Sequence, residues 1–288
     1  MSKIKYICFH LMRQVKSYRL RNIIASFQAF TKKKETITGR SALFNVINES
    51  HKVDELNRNG YTELGLITNT DLVDEMIADV KALDLYDPFN KEMYFFKLDN
   101  IPKDTHVAMY SRSDLAQNET ILKIANDPSV LRVVQDFLGT VPTISNINMW
   151  WSTRNHSQAK DAQCFHRDVD DIKFCKLFVY LTDVGPNDGP HTFVKGSTSS
   201  DKLTYIRRYT DDEIIKNFGK DNIINFIRPK YSVFIVNSYG FHKGTLPIDN
   251  DRLLLQVQYS LNPIGIENYT PIGVSHSYNK YINRLILK

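Results

Sequence analysis

Four β-rich runs in the second half of the chain constrain its fold more than any other feature. They cover Ile144–Trp151, Phe174–Thr182, Tyr231–Asn237 and Leu253–Leu261. Their residues are enriched in β-branched and aromatic types, and turn signals at 186–190 and 247–250 lie between them. This order favours an α+β fold with a mainly β core, an antiparallel barrel or jelly roll with helices outside it, over alternating βαβ units.

Helices are predicted for the first half. Thr70 suits a helix N-cap, and apolar residues recur at helical spacing from Leu72 to Leu83. A second helix has Asp127 as its cap, Pro128 in its first turn and Gly139 at its end. These helices are expected to cover the β core.

Chain length and composition narrow the protein class. With 288 residues and 42% hydrophobic residues, the chain can bury one large domain, or one domain plus an extension. Three scattered cysteines are too few for a disulfide framework, which favours a reducing compartment. Since no run approaches the roughly 20 apolar residues of a membrane span, we expect a cytoplasmic protein that is neither secreted nor integral to a membrane.

The basic charge is concentrated at the start of the chain. Residues 1–40 hold ten Lys and Arg but one acid, Glu35, a net charge of +9, while the remainder carries −4. This argues against a nucleic-acid partner for the main domain. We therefore predict a basic amphipathic extension at 1–40 and a domain at 41–288.

The apolar residues of the extension predict a helix or helix pair. They form one stripe: Ile4, Ile7, Cys8, Leu11, Val15 and Tyr18, extended by Ile23, Ile24 and Phe27. Two interpretations are open. The stripe packs on the domain as a covering helix, or it attaches the protein peripherally to an anionic membrane.

The His166-Arg167-Asp168 triplet is the first candidate for chemistry. Alternate residues of a strand point the same way, so His166 and Asp168 can hold one ion together. His242, which ends a hydrophobic strand between Gly240 and Gly244, is the best third ligand. Two imidazoles and one carboxylate suit Fe(II) with three open positions, although a His-x-Asp triplet alone also occurs by chance in loops.

Arg252 strengthens this interpretation. It begins a strand on which Arg252, Gln256 and Gln258 share a polar face that can line a cavity. A buried guanidinium matches the far carboxylate of 2-oxoglutarate. The alternative is an arginine that reaches solvent or pairs with Asp249 or Asp251.

Strand parity also turns Lys176 toward the cavity, where it would help to hold a carboxylate; a lysine that reaches solvent is the alternative. For His191, His156 and the Trp150-Trp151 pair, a structural role competes with a role in the site. His191 could reach the cavity, but we favour a hydrogen-bonded core or surface histidine over a ligand. His156 and the two tryptophans could line the substrate mouth, but for the tryptophans we favour ordinary packing.

Three stretches resemble the phytanoyl-CoA dioxygenase (PhyH-like) family of iron and 2-oxoglutarate oxygenases. They are AQCFHRDVDD (162–171), KLFVYLTDVGPNDGPHTFVKGST (176–198) and YSVFIVNSYGFHKGTLPIDNDRLLLQVQYS (231–260). The resemblance implies a cupin-like double-stranded β-helix with a core at about 143–262 and flanking N-terminal helices. It also implies His166, Asp168 and His242 as metal ligands, Arg252 on 2-oxoglutarate, and Phe178 as an aromatic residue against the co-substrate.

The activity implied by the resemblance uses Fe(II), 2-oxoglutarate and dioxygen. Oxidative decarboxylation of 2-oxoglutarate would accompany hydroxylation of a small molecule, or of a lipid- or sugar-linked metabolite. Asp168 argues against halogenation because a carboxylate fills the position that chloride needs. Gly196-Ser197-Thr198 departs from the family's usual Gly-Ser-His, and phytanoyl-CoA itself is not carried over as substrate.

Two other functions stay open. A metal-dependent hydrolase or isomerase on the same barrel would use Zn²⁺ to activate water. A catalytically inactive family member would act as a binding protein.

Overall fold

The computed structural model describes residues 3–45, 47–90, 92, 94–154, 156–275 and 277–288. The α-helices are α1 Lys3–Arg13, α2 Tyr18–Phe30, α3 Glu49–Asn59, α4 Thr70–Lys81, α5 Arg112–Leu115, α6 Glu119–Ala125, α7 Pro128–Leu138, α8 Asp211–Phe218 and α9 Lys280–Asn283. Short 3₁₀ turns lie at Leu98–Asn100, Asp161–Gln163 and Lys220–Asn222. No helix within the described ranges is long and apolar enough to cross a membrane.

The strands form two antiparallel sheets that make a jelly roll, as predicted. They are β1 Tyr61–Leu66, β2 Leu85–Tyr86, β3 Phe95–Phe96, β4 Val107–Tyr110, β5 Thr143–Ser152, β6 Phe174–Tyr180, β7 His191–Val194, β8 Ile223–Asn225, β9 Ser232–Val236, β10 His242–Gly244 and β11 Arg252–Ser260. The large sheet has the order β1-β9-β6-β11-β5-β4-β2-β3, and the small sheet has the order β10-β7-β8.

The alternation of residues along β6 sets the two sides of the large sheet. Cys175, Leu177 and Val179 belong to the main hydrophobic core, which includes the helices. Phe178 and Tyr180 belong to a second cluster inside the barrel, with Phe193 of the small sheet. The sheet therefore buries an aliphatic face against helices and turns its aromatic face inward.

Both predicted helices lie within two residues of their expected bounds. Asn69, rather than Thr70, is the N-cap of α4, and its side chain accepts a hydrogen bond from Leu72 N. Asp127 caps α7 by accepting from Ser129 N and Val130 N, and Gly139 ends that helix in the left-handed conformation. Such caps satisfy backbone groups that a helix end leaves without partners.

The N-terminal helices pack on the domain, but only part of the predicted stripe takes part: Val15 and Ile24 pack against the main core, and Tyr18 stacks on Tyr239. α2 buries Arg21, Ala25 and Ala29, and α1 buries Phe9. Ile23 and Phe27, which the covering-helix interpretation places against the domain, are exposed. The reason is that Arg21 finds buried acceptors on the domain, the carbonyl of Asp171 among them, and this fixes the opposite face of α2 inward.

Candidate metal centre

The segment that carries His166 and Asp168 is not the regular strand that its alternation predicts. It follows the 3₁₀ turn Asp161–Gln163, and it pairs with β10 through one antiparallel bridge between His166 and His242. Each of these two residues donates its backbone N–H to the carbonyl of the other, at 3.0 Å. Backbone pairing therefore places the two imidazoles side by side, with ring centroids 4.3 Å apart.

Asp168 completes a group of three potential ligands. Its backbone N–H donates to the carbonyl of Ser238 at 2.9 Å, which holds it beside the same chain segment. Asp168 Oδ1 lies 3.6 Å from His166 Nε2, and Oδ2 lies 3.2 Å from His242 Nε2. One ligand atom from each residue lies within 4.8 Å of the others, so the group can hold a metal ion.

The outer nitrogens of both histidines bind backbone. His166 Nδ1 lies 2.9 Å from the carbonyl of Cys164, and His242 Nδ1 lies 3.0 Å from the carbonyl of Gly240. A donor at Nδ1 leaves Nε2 as a lone-pair ligand aimed at the centre. Burial, and then the neighbouring His242, lower the pKa of His166 to about 3, so its imidazole is neutral, as a metal ligand must be.

Glycines on either side of His242 allow close packing. A Cβ on Gly240 would lie 2.5 Å from Phe193 Cζ, and a Cβ on Gly244 would lie 3.2 Å from Arg252 Nη2. Gly240 therefore lets the turn before β10 pass over the Phe193 ring, and Gly244 leaves room for the guanidinium. The predicted role of these glycines in close backbone approach has this physical basis.

Lys176 lies in the cavity wall rather than in solvent. Its Nζ is 2.6 Å from Asp168 Oδ2 and 3.4 Å from Asp170 Oδ2. Burial acts to raise the pKa of Asp168, but the interaction with the Lys176 cation, and then that with His242, outweigh it and bring that pKa well below its ordinary value. Asp168 is thus an anion, as suits a residue that would bind a metal cation.

Arg252 is almost fully buried, with 2% of its surface exposed. It donates from Nη1 to the carbonyl of Gly189 and from Nη2 to Ser152 Oγ at 3.0 Å, while its Nε has no hydrogen-bond partner among the described residues. The alternative partner Asp251 instead accepts from the backbone N–H of Arg154 at 2.8 Å. A buried cation without a carboxylate in the described structure is open to an anionic ligand.

One cavity of about 310 Å³ joins all of these groups. Its lining includes the predicted residues His166, Asp168, Lys176, Phe178, His242 and Arg252. The Phe178 ring lies 4.7 Å from the ring of His191, which also lines the cavity. The structure therefore places the six predicted site residues around a single space.

The sequence interpretation missed several residues of this wall. His191 is buried, and its Nε2 has no hydrogen-bond partner within the described ranges, which differs from the hydrogen-bonded histidine that we favoured. Ser152 meets Arg252 only because the two are paired in register between β5 and β11. Arg208 lines the mouth. The Gly-Pro-His sequence at 189–191 was the one available signal.

Comparisons with known proteins support the fold. No protein-family model and no curated protein matches the sequence. Among solved structures, HygX from Streptomyces hygroscopicus with nickel, 2-oxoglutarate and hygromycin B bound is similar, with a TM-score of 0.54, 15% identity, and 81% of this chain and 93% of that chain covered.

Two further structures show the same likeness. EctD from S. alaskensis with bound Fe has a TM-score of 0.55 and 15% identity over 89% of this chain and 94% of that chain. The epimerase SnoN in complex with Fe³⁺, alpha ketoglutarate and nogalamycin RO has a TM-score of 0.51 and 16% identity over 73% of this chain and 82% of that chain. The jelly roll of this chain is thus the fold of these three proteins, which bind nickel or iron and, in HygX and SnoN, 2-oxoglutarate as well.

Proposed function

We propose that this chain is an Fe(II)- and 2-oxoglutarate-dependent dioxygenase that hydroxylates a small molecule. The observation that carries the proposal is that one cavity is lined by two imidazoles, one carboxylate and a buried arginine that has no acidic partner among the described residues. Metal ligands alone fit many enzymes, whereas the added guanidinium fits a dicarboxylate co-substrate. Membership of the phytanoyl-CoA dioxygenase family itself remains a prediction from the quoted motifs.

The residues present suit both groups. The Nε2 atoms of His166 and His242 and the carboxylate of Asp168 would hold Fe(II), since two nitrogen ligands and one oxygen ligand leave positions for other partners. With 2-oxoglutarate and dioxygen bound, the iron supplies oxidative decarboxylation coupled to C–H hydroxylation. Fold neighbours that bind nickel or iron together with 2-oxoglutarate support this choice.

Each protein group has a defined task in this proposal. Arg252 would bind the far carboxylate of 2-oxoglutarate, and Gly189 and Ser152 hold its guanidinium in place. Lys176 keeps Asp168 charged and oriented, and it remains a candidate for contact with the co-substrate. Phe178 would form an apolar wall against the co-substrate and exclude water.

The substrate class follows from the cavity. Its volume suits the co-substrate and part of a small molecule. Trp150 and Phe89 provide apolar surface in the cavity lining, and Arg208 provides a cation. A small metabolite, either free or linked to a lipid or sugar, fits this lining, and cysteine usage favours a cytoplasmic reaction.

Release of succinate from 2-oxoglutarate tests the reaction class. The full chain should form succinate with Fe(II) in air, should not do so with Zn²⁺, and should be accelerated by its substrate in a metabolite panel. Asp168→Ala should abolish succinate release, while Asp251→Ala, outside the cavity, should retain it. Conversion of a panel metabolite with Zn²⁺ alone, without succinate release, would favour the hydrolase. Succinate release at the wild-type rate by Asp168→Ala would refute the ligand set.

A further inference from the structure

Helix α2 turns its largest apolar side chains toward solvent. Leu20, Ile23, Phe27 and Phe30 are 47%, 67%, 72% and 75% exposed. At 100° per residue they lie within an arc of about 80° of the helix, so they form one continuous apolar stripe. Isolated exposed apolar residues are ordinary in proteins, but four on one helix face mark an interaction surface.

Contacts on the opposite face fix α2 in this orientation. Arg21 is buried, donates from Nη1 to the carbonyl of Val15 at 3.2 Å and from Nη2 to the carbonyl of Asp171, and lies 4.3 Å from the centroid of the Tyr239 ring. The Tyr239 hydroxyl donates to the carbonyl of Lys16 at 2.6 Å. Rolling the stripe inward would remove Arg21 from these acceptors, so the stripe stays available to a partner outside the chain.

Cations lie at both ends of the stripe. Lys34 Nζ is 5.4 Å from the centroid of the Phe30 ring, and Lys16 Nζ, just before α2, is 4.8 Å from the centroid of the Tyr205 ring. The sequence has no acid before Glu35. Lys33 pairs with Glu35 at 2.9 Å, whereas Lys16 and Lys34 have no acidic partner among the described residues. The surface therefore combines an apolar centre with a positive charge at each end.

We propose that the stripe of α2 docks on an anionic lipid bilayer. Its apolar side chains would enter the boundary between head groups and acyl chains, and the flanking lysines would meet lipid phosphates and carboxylates. A second copy of this chain fits less well. Either orientation of two paired α2 helices places the Lys16 or Lys32–Lys34 cations of one copy against cations of the other.

One end of the docking surface contacts a loop that also lines the cavity of the candidate metal centre. Tyr205 and Ile206 are exposed beside Lys16, and Arg208, two residues further along the same loop, lines the cavity. A chain bound through α2 would thus bring this loop, at the Lys16 end of the surface, close to the lipid interface. This inference concerns the surface alone and does not depend on the reaction proposed above.

Co-sedimentation of the full chain with vesicles tests the proposal. Binding should be strong to mixed phosphatidylserine and phosphatidylcholine vesicles, weak to pure phosphatidylcholine, and lower at high salt. Ile23→Ser should weaken partition about fivefold to tenfold, and Phe27→Ser with Phe30→Ser about a hundredfold. Lys16→Gln with Lys34→Gln should weaken binding to the anionic vesicles alone, about fivefold per cation.

The chain offers a matched control. Ile248 is 65% exposed, a fraction similar to the 67% of Ile23, but it lies in the turn between β10 and β11 and not on α2. Ile248→Ser should therefore leave vesicle binding unchanged. All of these side chains are exposed, so the variants should keep the wild-type circular dichroism. Equal loss in Ile248→Ser and Ile23→Ser, or no binding to anionic vesicles, would overturn the proposal. A lipid-free dimer that Ile23→Ser dissociates would overturn it in favour of self-association.

Discussion

Replacing Arg252 by glutamine should weaken 2-oxoglutarate binding and leave metal binding intact. The guanidinium is buried, contacts no acid within the described structure and has a free Nε, so a bound carboxylate would be its main ionic partner. Removal of one member of a buried, hydrogen-bonded charge pair costs about 2–5 kcal/mol, or about 30- to 4,000-fold in Kd. The three potential metal ligands come from other residues and should bind as before.

Ligand-dependent stability provides the assay. At a 2-oxoglutarate concentration a hundredfold above the wild-type Kd, the ligand should stabilise the Fe(II)-loaded wild type by about 2.7 kcal/mol, and a variant weakened thirtyfold by about 0.9 kcal/mol. Anaerobic urea denaturation with and without 2-oxoglutarate measures this difference.

Arg154→Gln is a control, because Arg154 is half exposed and contacts Asp251 outside the cavity. An unchanged Kd for 2-oxoglutarate in Arg252→Gln, with iron bound, would refute the assignment of Arg252 to the co-substrate.

Three predictions concern the structure around the site. Burial raises the pKa of Asp171 to about 6 from an ordinary 3.8. The folded chain therefore retains a proton that the unfolded chain loses, and stability from this group is full below about pH 4 and lost as the pH rises through about 6. Relative to Asp171→Asn, wild type should lose about 2 kcal/mol of unfolding free energy between pH 4 and 7. Gly240→Ala should cost about 1–3 kcal/mol in urea unfolding and weaken metal binding, because its Cβ would meet the Phe193 ring and displace His242. Asp127→Ala should cost about 1–2 kcal/mol in thermal unfolding, because α7 loses its cap and Ser41 loses the carboxylate to which it donates at 2.6 Å.

Each of these predictions has a contrary result. Parallel stability curves for wild type and Asp171→Asn would exclude a raised pKa for that carboxyl. Wild-type metal affinity in Gly240→Ala would show that the turn before His242 tolerates a methyl group. An unchanged melting temperature in Asp127→Ala would show that the cap contributes nothing measurable.

The long strands could be predicted because their side-chain pattern is local. The run predicted at Leu253–Leu261 is a strand at Arg252–Ser260, and the run at Ile144–Trp151 is a strand at Thr143–Ser152. The small sheet was not predicted, because its strands have three or four residues, too few for an alternation of polar and apolar residues to be recognised. Pairing with distant segments determines them, and that information is not local in the sequence.

The surroundings of the candidate ligands were harder to predict than the ligands themselves. Residue type, spacing and the family resemblance indicated His166, Asp168 and His242, but the segment of His166 and Asp168 is irregular and is positioned by the bridge between the two histidines. Amphipathicity indicated helices near the start of the chain, yet it could not tell which face of α2 packs inward. Arg21 decides that through buried carbonyls that no sequence pattern reveals.

The anaerobic visible spectrum of the full chain with Fe(II) and 2-oxoglutarate tests the central claim most directly. Joint binding of the two groups at the candidate centre should give the weak charge-transfer band of an iron–keto acid chelate, and Asp168→Ala and His242→Ala should lose it. Absence of the band in wild type with both ligands present, or an undiminished band in both variants, would contradict this account.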